Sequence, residues 1–219
     1  MKKNILFLML FFCSCVNMAQ TTKYIIPDVG YIYISDELEL RDDDTDFGKH
    51  MSNHMKSLNQ VYYLDTSEDI VFQNKGLNDN SLDLKSIKSD YARITIATYK
   101  SNKGDFVKAK EYLEPSTKSE QKEFEKEYEL EMRKQWYGTK LKLIKLYEVN
   151  FTKINGVNVL KSSYLRQLDD NPLVVVRQYC FQNYDRQHII TLSYRESKET
   201  KWKPIMEKAI NSFVLTNIR

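Results

Sequence analysis

Cysteine is scarce in this 219-residue chain: there are three, and Cys13 and Cys15 fall close to its start. Cys180 is then alone, which excludes an internal disulfide, so the core must hold without covalent staples. The apolar run Ile5 to Phe12 is too short to cross a bilayer as a helix. A large charge of one sign is also missing. The net charge is +3, falling to +1 if Lys2 and Lys3 are lost with an N-terminal segment. That near-neutrality argues against nucleic acid or an anionic membrane as the main partner. No phosphate-cradling glycine loop, Walker sequence or nucleophile elbow occurs, and no internal repeat or low-complexity linker.

What is present begins with an export signal. Met1-Lys2-Lys3-Asn4 is a basic start, and Ile5 to Phe12 is the short apolar core that such signals carry. Ordinary processing falls after Ala19, making residues 1–19 a signal peptide and residues 20–219 one domain. Alternatively, Phe12-Cys13-Ser14-Cys15 resembles a lipoprotein signal, with Cys15 carrying the lipid. Phe12 stands where that signal has a small aliphatic residue, which favours the cut after Ala19. About 200 residues remain, enough for a single core.

Alternation over Val29 to Ile34 predicts a first strand, with further strands over Asp69 to Gln73 and Ala92 to Tyr99. In the last of these, Ile94 and Ile96 point one way and Arg93 and Thr95 the other. His50, Met51, His54, Met55 and Leu58 predict a short helix beyond an acidic loop at Asp42 to Asp46. A helix from Lys118 to Trp136 opens on a Thr117/Glu120 capping box and closes at Gly138. Its apolar residues Phe124, Tyr128, Met132 and Trp136 recur every four positions, and Lys and Glu fill its other faces. Leu141 to Ile154 and Val157 to Leu168 flank Asn155-Gly156, the strongest short hairpin signal in the chain.

The stretch Leu173 to Phe213 reads strand, turn, strand, helix. A turn centred on Tyr184 sets Cys180 opposite His188, Val176 opposite Leu192 and Val174 opposite Tyr194. Val174, Val176, Cys180, Ile190, Leu192 and Tyr194 then share the buried face, since alternate residues of a strand point the same way. The helix lays Trp202, Ile205, Met206, Ala209, Ile210 and Phe213 along one stripe. Ser197 or Thr200 is its expected N-cap, with Pro204 tolerated within the first turn. Ribbon and helix are expected to bury each other.

Four antiparallel strands in series, with a helix before and a helix after, define an α+β class: an antiparallel sheet covered by helices. The Ile154-Asn155-Gly156 hairpin and the ending Ile190-Thr191-Leu192-Ser193-Tyr194-Arg195, Trp202 and Asn211-Ser212-Phe213 resemble the PsbP-like group. The resemblance covers residues 140–215 best and implies an α/β/α sandwich. It also implies a protein that binds or assists other molecules without catalysing a reaction. It transfers no site residues, because the matching positions read as core.

Three constellations carry candidate chemistry. Cys180 and His188, as cross-strand neighbours, would form a thiolate–imidazolium pair. The bland alternative is a small buried hydrophobe beside a hydrogen-bonded histidine. His50 and His54, four apart on a helix, could share a metal with the nearby aspartates, although the glutamate of a HExxH motif is missing. Asp42, Asp44 and Asp46 resemble a calcium loop, but Phe47 replaces its glycine and Asn53 its bidentate glutamate. Tyr31, Tyr33, Tyr62, Tyr63, Tyr147 and Tyr164 suit either a contact surface or the rim of a sheet, and the rim reading is favoured. The expected function is thus a non-catalytic exported binding or accessory domain, periplasmic or at the cell surface. Its partner is a protein or small molecule, with no cofactor and no nucleic acid, and with a lipid anchor only if Cys15 is modified. The alternative is an exported thiol- or metal-dependent enzyme using Cys180/His188 or His50/His54.

Overall fold

The computed structural model describes residues 20–42, 44, 70–78, 89–113 and 116–219. The strands are β1 (Thr21–Ile26), β2 (Gly30–Ser35), β3 (Leu38–Leu40), β4 (Ile70–Asn74), β5 (Ala92–Lys100), β6 (Leu141–Ile154), β7 (Val157–Leu168), β8 (Val174–Gln182), β9 (Arg186–Arg195) and β10 (Val214–Leu215). Helix α1 spans Lys118–Gln135 and α2 spans Glu199–Ser212, the latter entered through a single 3-10 turn at Glu196–Lys198. Seven strands make one antiparallel sheet in the order β3-β4-β5-β9-β8-β7-β6. A smaller sheet, β1-β2-β10, is also antiparallel. The class is α+β, an antiparallel sheet with helices on its faces, as the strand series and flanking helices predict.

Local chemistry explains the clearest elements. Asn155 and Gly156 both take positive φ, 48° and 78°, so a two-residue turn matches the twist of β6 and β7. The Asn155 side-chain amide also donates to the carbonyls of Asn211 and Phe213, fastening this hairpin to the end of α2. The capping box of α1 is complete: the Thr117 hydroxyl accepts from the Glu120 backbone, and the Glu120 carboxylate accepts from the Thr117 backbone. Gly138 follows with φ +75° and ends the helix.

The sheet buries both of its faces. Ile94, Ile96, Val175, Tyr179, Phe181, Ile190, Leu192 and Tyr194 form one side, against Trp202, Met206, Ala209, Ile210 and Phe213, with Ile26, Ile32 and Ile34 of the small sheet in the same core. The other side packs Leu143, Tyr164, Val174 and Val176 against Met132 and Tyr128 of α1 and its C-cap Trp136. Trp202 and Phe213 are 0% and 1% exposed, so ribbon and helix do cover each other. The Trp202 indole donates to Asp90 at 2.6 Å, and Arg177, from the same face of the sheet, pairs with Glu207 at 2.6 Å.

Three expectations are corrected. The β8–β9 register is displaced by one residue: Cys180 lies opposite Ile189, Phe181 opposite His188, and Val176 opposite Ser193. The turn closes on two residues, Tyr184 and Asp185, between Asn183 and Arg186, so its centre is a peptide bond and not Tyr184 itself. A one-residue slip moves every side chain to the other face. Val174, Val176 and Cys180 therefore lie on the α1 side, with Leu192 on the α2 side. Tyr184 holds φ 67° because the 104–107 segment grips its backbone: its carbonyl accepts from Gly104 and Phe106, and its N–H donates to Val107. Second, neither Ser197 nor Thr200 caps α2; its N-cap is Lys198, with no side-chain bond. Third, Pro204 lies beyond the first turn of α2, tolerated because the carbonyl it leaves without a donor belongs to exposed Thr200. Strands β1, β3 and β10 have no counterpart among the predicted elements. The predicted helix around His50 and the signal segment lie outside the described residues.

Candidate functional site

The altered register decides the fate of the Cys180/His188 pair. Neighbours along a strand face opposite ways, so Cys180 points to the α1 side and His188, opposite Phe181, to the α2 side. Each is held by its own surroundings. The Cys180 thiol donates to Gln187 Oε1 at 3.3 Å, and burial pushes its pKa up to about 11. His188 is fully buried with Nδ1 2.9 Å from Thr98 Oγ1. Burial, reinforced by Arg186 and opposed by Asp185, pushes its pKa down to about 4. A protonated thiol and a neutral imidazole on opposite sides of a sheet do not make a nucleophile–base couple. His50, His54 and Cys15 lie outside the described residues, as do Tyr62 and Tyr63. Among the described residues no three His, Cys, Asp or Glu side chains gather as a metal-ligand set.

The tyrosines divide by position. Tyr164 is 5% exposed and packs edge-on against Trp136, so it is core. Tyr31 is half-buried, while Tyr33 and Tyr147 are exposed. Tyr147 belongs to a larger feature along β6, an outermost strand of the main sheet and fourteen residues long. Ile144, Tyr147 and Phe151 of β6 are all exposed, as are Leu130 of α1 and Tyr137 just beyond it. Phe124 of α1 stacks on Phe151 with ring centroids 6.1 Å apart. Two grooves flank this crossing. One, of about 530 Å³, is lined by Leu113, Ser116, Gln121, Phe151 and Lys153 among others. The other, of about 200 Å³, runs between Lys122, Lys126 and Glu129 of α1 and Leu146 and Tyr147 of β6. The Gln121 amide donates to the Val149 carbonyl and Arg133 Nη1 to the Leu143 carbonyl, so α1 side chains occupy backbone acceptors of β6. Register irregularities between Leu143 and Lys145 and between Leu146 and Glu148 bend the same strand. Helix cover and bulges are the usual protections of a sheet edge. Neither the two side-chain bonds from α1 nor the bulges reach the backbone of the strand's last residues, from Asn150 to Ile154, where α1 contributes the packing of Phe124 on Phe151.

A second grouping was missed because its members are far apart in sequence. Tyr91, just before β5, is flanked by the guanidinium groups of Arg93 and Arg195, whose carbons lie 5.4 and 5.3 Å from its ring centre. Its hydroxyl lies 3.0 Å from Ser193 Oγ. Burial pushes the Tyr91 pKa up, but Arg93, Arg166, the Ser193 bond and Arg195 together bring it below that of a free phenol. The only local trace was the alternation that sets Arg93 apart from Ile94 and Ile96.

No protein-family model matches the chain, and no curated protein does. Among solved structures it is similar to a protein of Bacteroides thetaiotaomicron VPI-5482, at 10% identity and a TM-score of 0.46. That match covers 90% of this chain and 49% of the other, so the chain spans about half that protein's length. It is similar to the solution structure of cyanobacterial PsbP from Synechocystis sp. PCC 6803, at 13% identity and a TM-score of 0.48, over 94% of this chain and 99% of that one. A protein of unknown function from Pseudomonas aeruginosa is similar at 14% identity and a TM-score of 0.39, over 89% and 96% of the two chains. A PsbP protein is among these structures of similar fold, and no residue role passes with it. Among the described residues, no helix is long and apolar enough to cross a membrane.

Proposed function

We propose that this chain is an exported, non-catalytic binding domain that docks a protein partner along β6 and α1. The observation that carries the reading is that an outermost strand bears three exposed apolar side chains, Ile144, Tyr147 and Phe151, and runs beside two grooves. Aromatic side chains in such a setting supply contact area at low entropic cost. The terminal part of β6 can also add a partner's extended segment by backbone pairing. Export is supported by the basic start and short apolar core of residues 1–12. Mixed Lys and Glu along the smaller groove suit a protein surface better than a uniformly charged polymer.

Photo-cross-linking in the native host tests both halves of the proposal. A photoreactive phenylalanine at position 151 should give a discrete adduct in the envelope fraction, from a chain lacking residues 1–19 or lipidated at Cys15. The same probe at exposed Lys208 of α2 should give none. Equal adducts from both positions, or an unprocessed chain in the cytoplasm, would defeat the reading.

A further inference from the structure

We propose that the grouping around Tyr91 is a binding site for a tetrahedral oxyanion, a phosphate carried free or as a monoester. It is independent of the β6 surface. The sheet brings its members together. Arg93 of β5 lies opposite Ser193 of β9. Arg195 of β9 lies opposite Val174 of β8, which in turn lies opposite Arg166 of β7. Alternation along the strands puts Arg93, Ser193, Arg195 and Arg166 on one face, the α1 side. Tyr91 joins them through its carbonyl, which accepts from the Arg195 backbone at 3.0 Å.

The charge on this face is out of balance. Arg133, Arg177, Arg186 and Arg219 each pair with a carboxylate. Among the described residues, neither Arg93 nor Arg166 forms an ion pair. Arg93 Nε is buried without a hydrogen-bond partner. Arg195 is already engaged, its Nη1 donating to the Pro172 carbonyl at 2.6 Å, so it forms a wall and the open donors belong to Arg93 and Arg166. A half-buried guanidinium with an unmet donor is costly unless an anion meets it. Guanidinium groups arriving from several strands suit an acceptor with oxygens in several directions, and a doubly charged phosphate offsets more of the excess than one carboxylate. The Tyr91 and Ser193 hydroxyls supply neutral partners beside it.

Calorimetric titration of the full chain with inorganic phosphate, against chloride at matched ionic strength, is the test. Saturable binding is expected, weakened about tenfold or more by Arg166→Gln and by Arg93→Gln, since each removes a charged hydrogen-bond donor. Lys208→Gln, exposed on α2 across the sheet from this face, should leave it unchanged. Glycerol 3-phosphate run in parallel assigns the source: tighter binding than phosphate favours a monoester, weaker binding the free ion, and either supports the site. Should an arginine variant fail to fold, the ionisation of Tyr91 in the unaltered chain gives a second readout, as the absorbance difference from Tyr91→Phe at increasing pH. Saturating phosphate should move that ionisation upward. Absence of saturable binding, equal affinity in folded arginine variants, or an unmoved Tyr91 ionisation would overturn the proposal.

Discussion

Acidification is expected to destabilise this fold through His188. The ring is fully buried on the α2 side, with Nδ1 bonded to Thr98 and Nε2 without a partner. Charging it there would place an unpaired cation in the core, which is why burial holds its pKa near 4 against an ordinary 6.5. The unfolded chain binds the proton readily below pH 6.5, and the native chain does not until about pH 4. A basic group with a depressed native pKa contributes stability that is whole above the unfolded value. That contribution is lost as pH falls from 6.5 toward 4, and nothing further is lost below that. At about 1.36 kcal/mol per pH unit the full loss is about 3 kcal/mol, with about 2 kcal/mol gone by pH 5. That is a large share of the roughly 5–15 kcal/mol that holds a domain together. Urea unfolding of the wild type and of His188→Gln, repeated from pH 8 to pH 4.5, measures it. Every other group is the same in both proteins, so the difference between the two curves isolates His188. The wild-type advantage should shrink by about 2 kcal/mol between pH 7.5 and pH 5. A difference that stays flat, or a His188 ring that titrates near its ordinary pKa by NMR, would refute the burial argument.

Two further outcomes follow from single contacts. A methyl group added at Gly30 would stand inside the Val214 carbonyl. Gly30→Ala should therefore force β10 away from β2 and cost about 1–3 kcal/mol, read as a lowered Tm; an unchanged Tm would contradict the pairing. Cys180, with its pKa near 11, is about one part in a thousand thiolate at pH 8. Its reaction with a thiol reagent should accelerate at least about tenfold when the chain is unfolded in urea, and rapid labelling of the native protein would show the site to be open.

The elements legible in the sequence are those whose cause is local. Thr117 and Glu120 form their own capping box, and Asn155-Gly156 its own turn, so α1 and the β6–β7 hairpin have boundaries matching or nearly matching the expected ones. The stripe from Trp202 to Phe213 needs only helical geometry. The β8–β9 register depended instead on the backbone of residues 104–107 holding Tyr184 in a left-handed conformation, about eighty residues away along the chain. No turn rule applied to Gln182–Arg186 contains that information. Strands β3 and β10, of three and two residues, are too short to show a period and exist because β4 and β2 offer them an edge. The arginines around Tyr91 were invisible as a group for the same reason: Arg93 and Arg195 become neighbours only after β5 pairs with β9.

That pairing also governs the order in which the chain can assemble. Strands β6 to β9 follow one another through short turns, so each meets its partner almost as soon as it exists. β5 must find β9 about a hundred residues downstream, and that search must be completed before any contact rewards it. The chain thus divides kinetically into a quick C-terminal meander and a slow N-terminal wing. Until the wing docks, the far side of β9 is a bare strand edge, the stretch on which a newly made molecule is most exposed to pairing with the wrong neighbour.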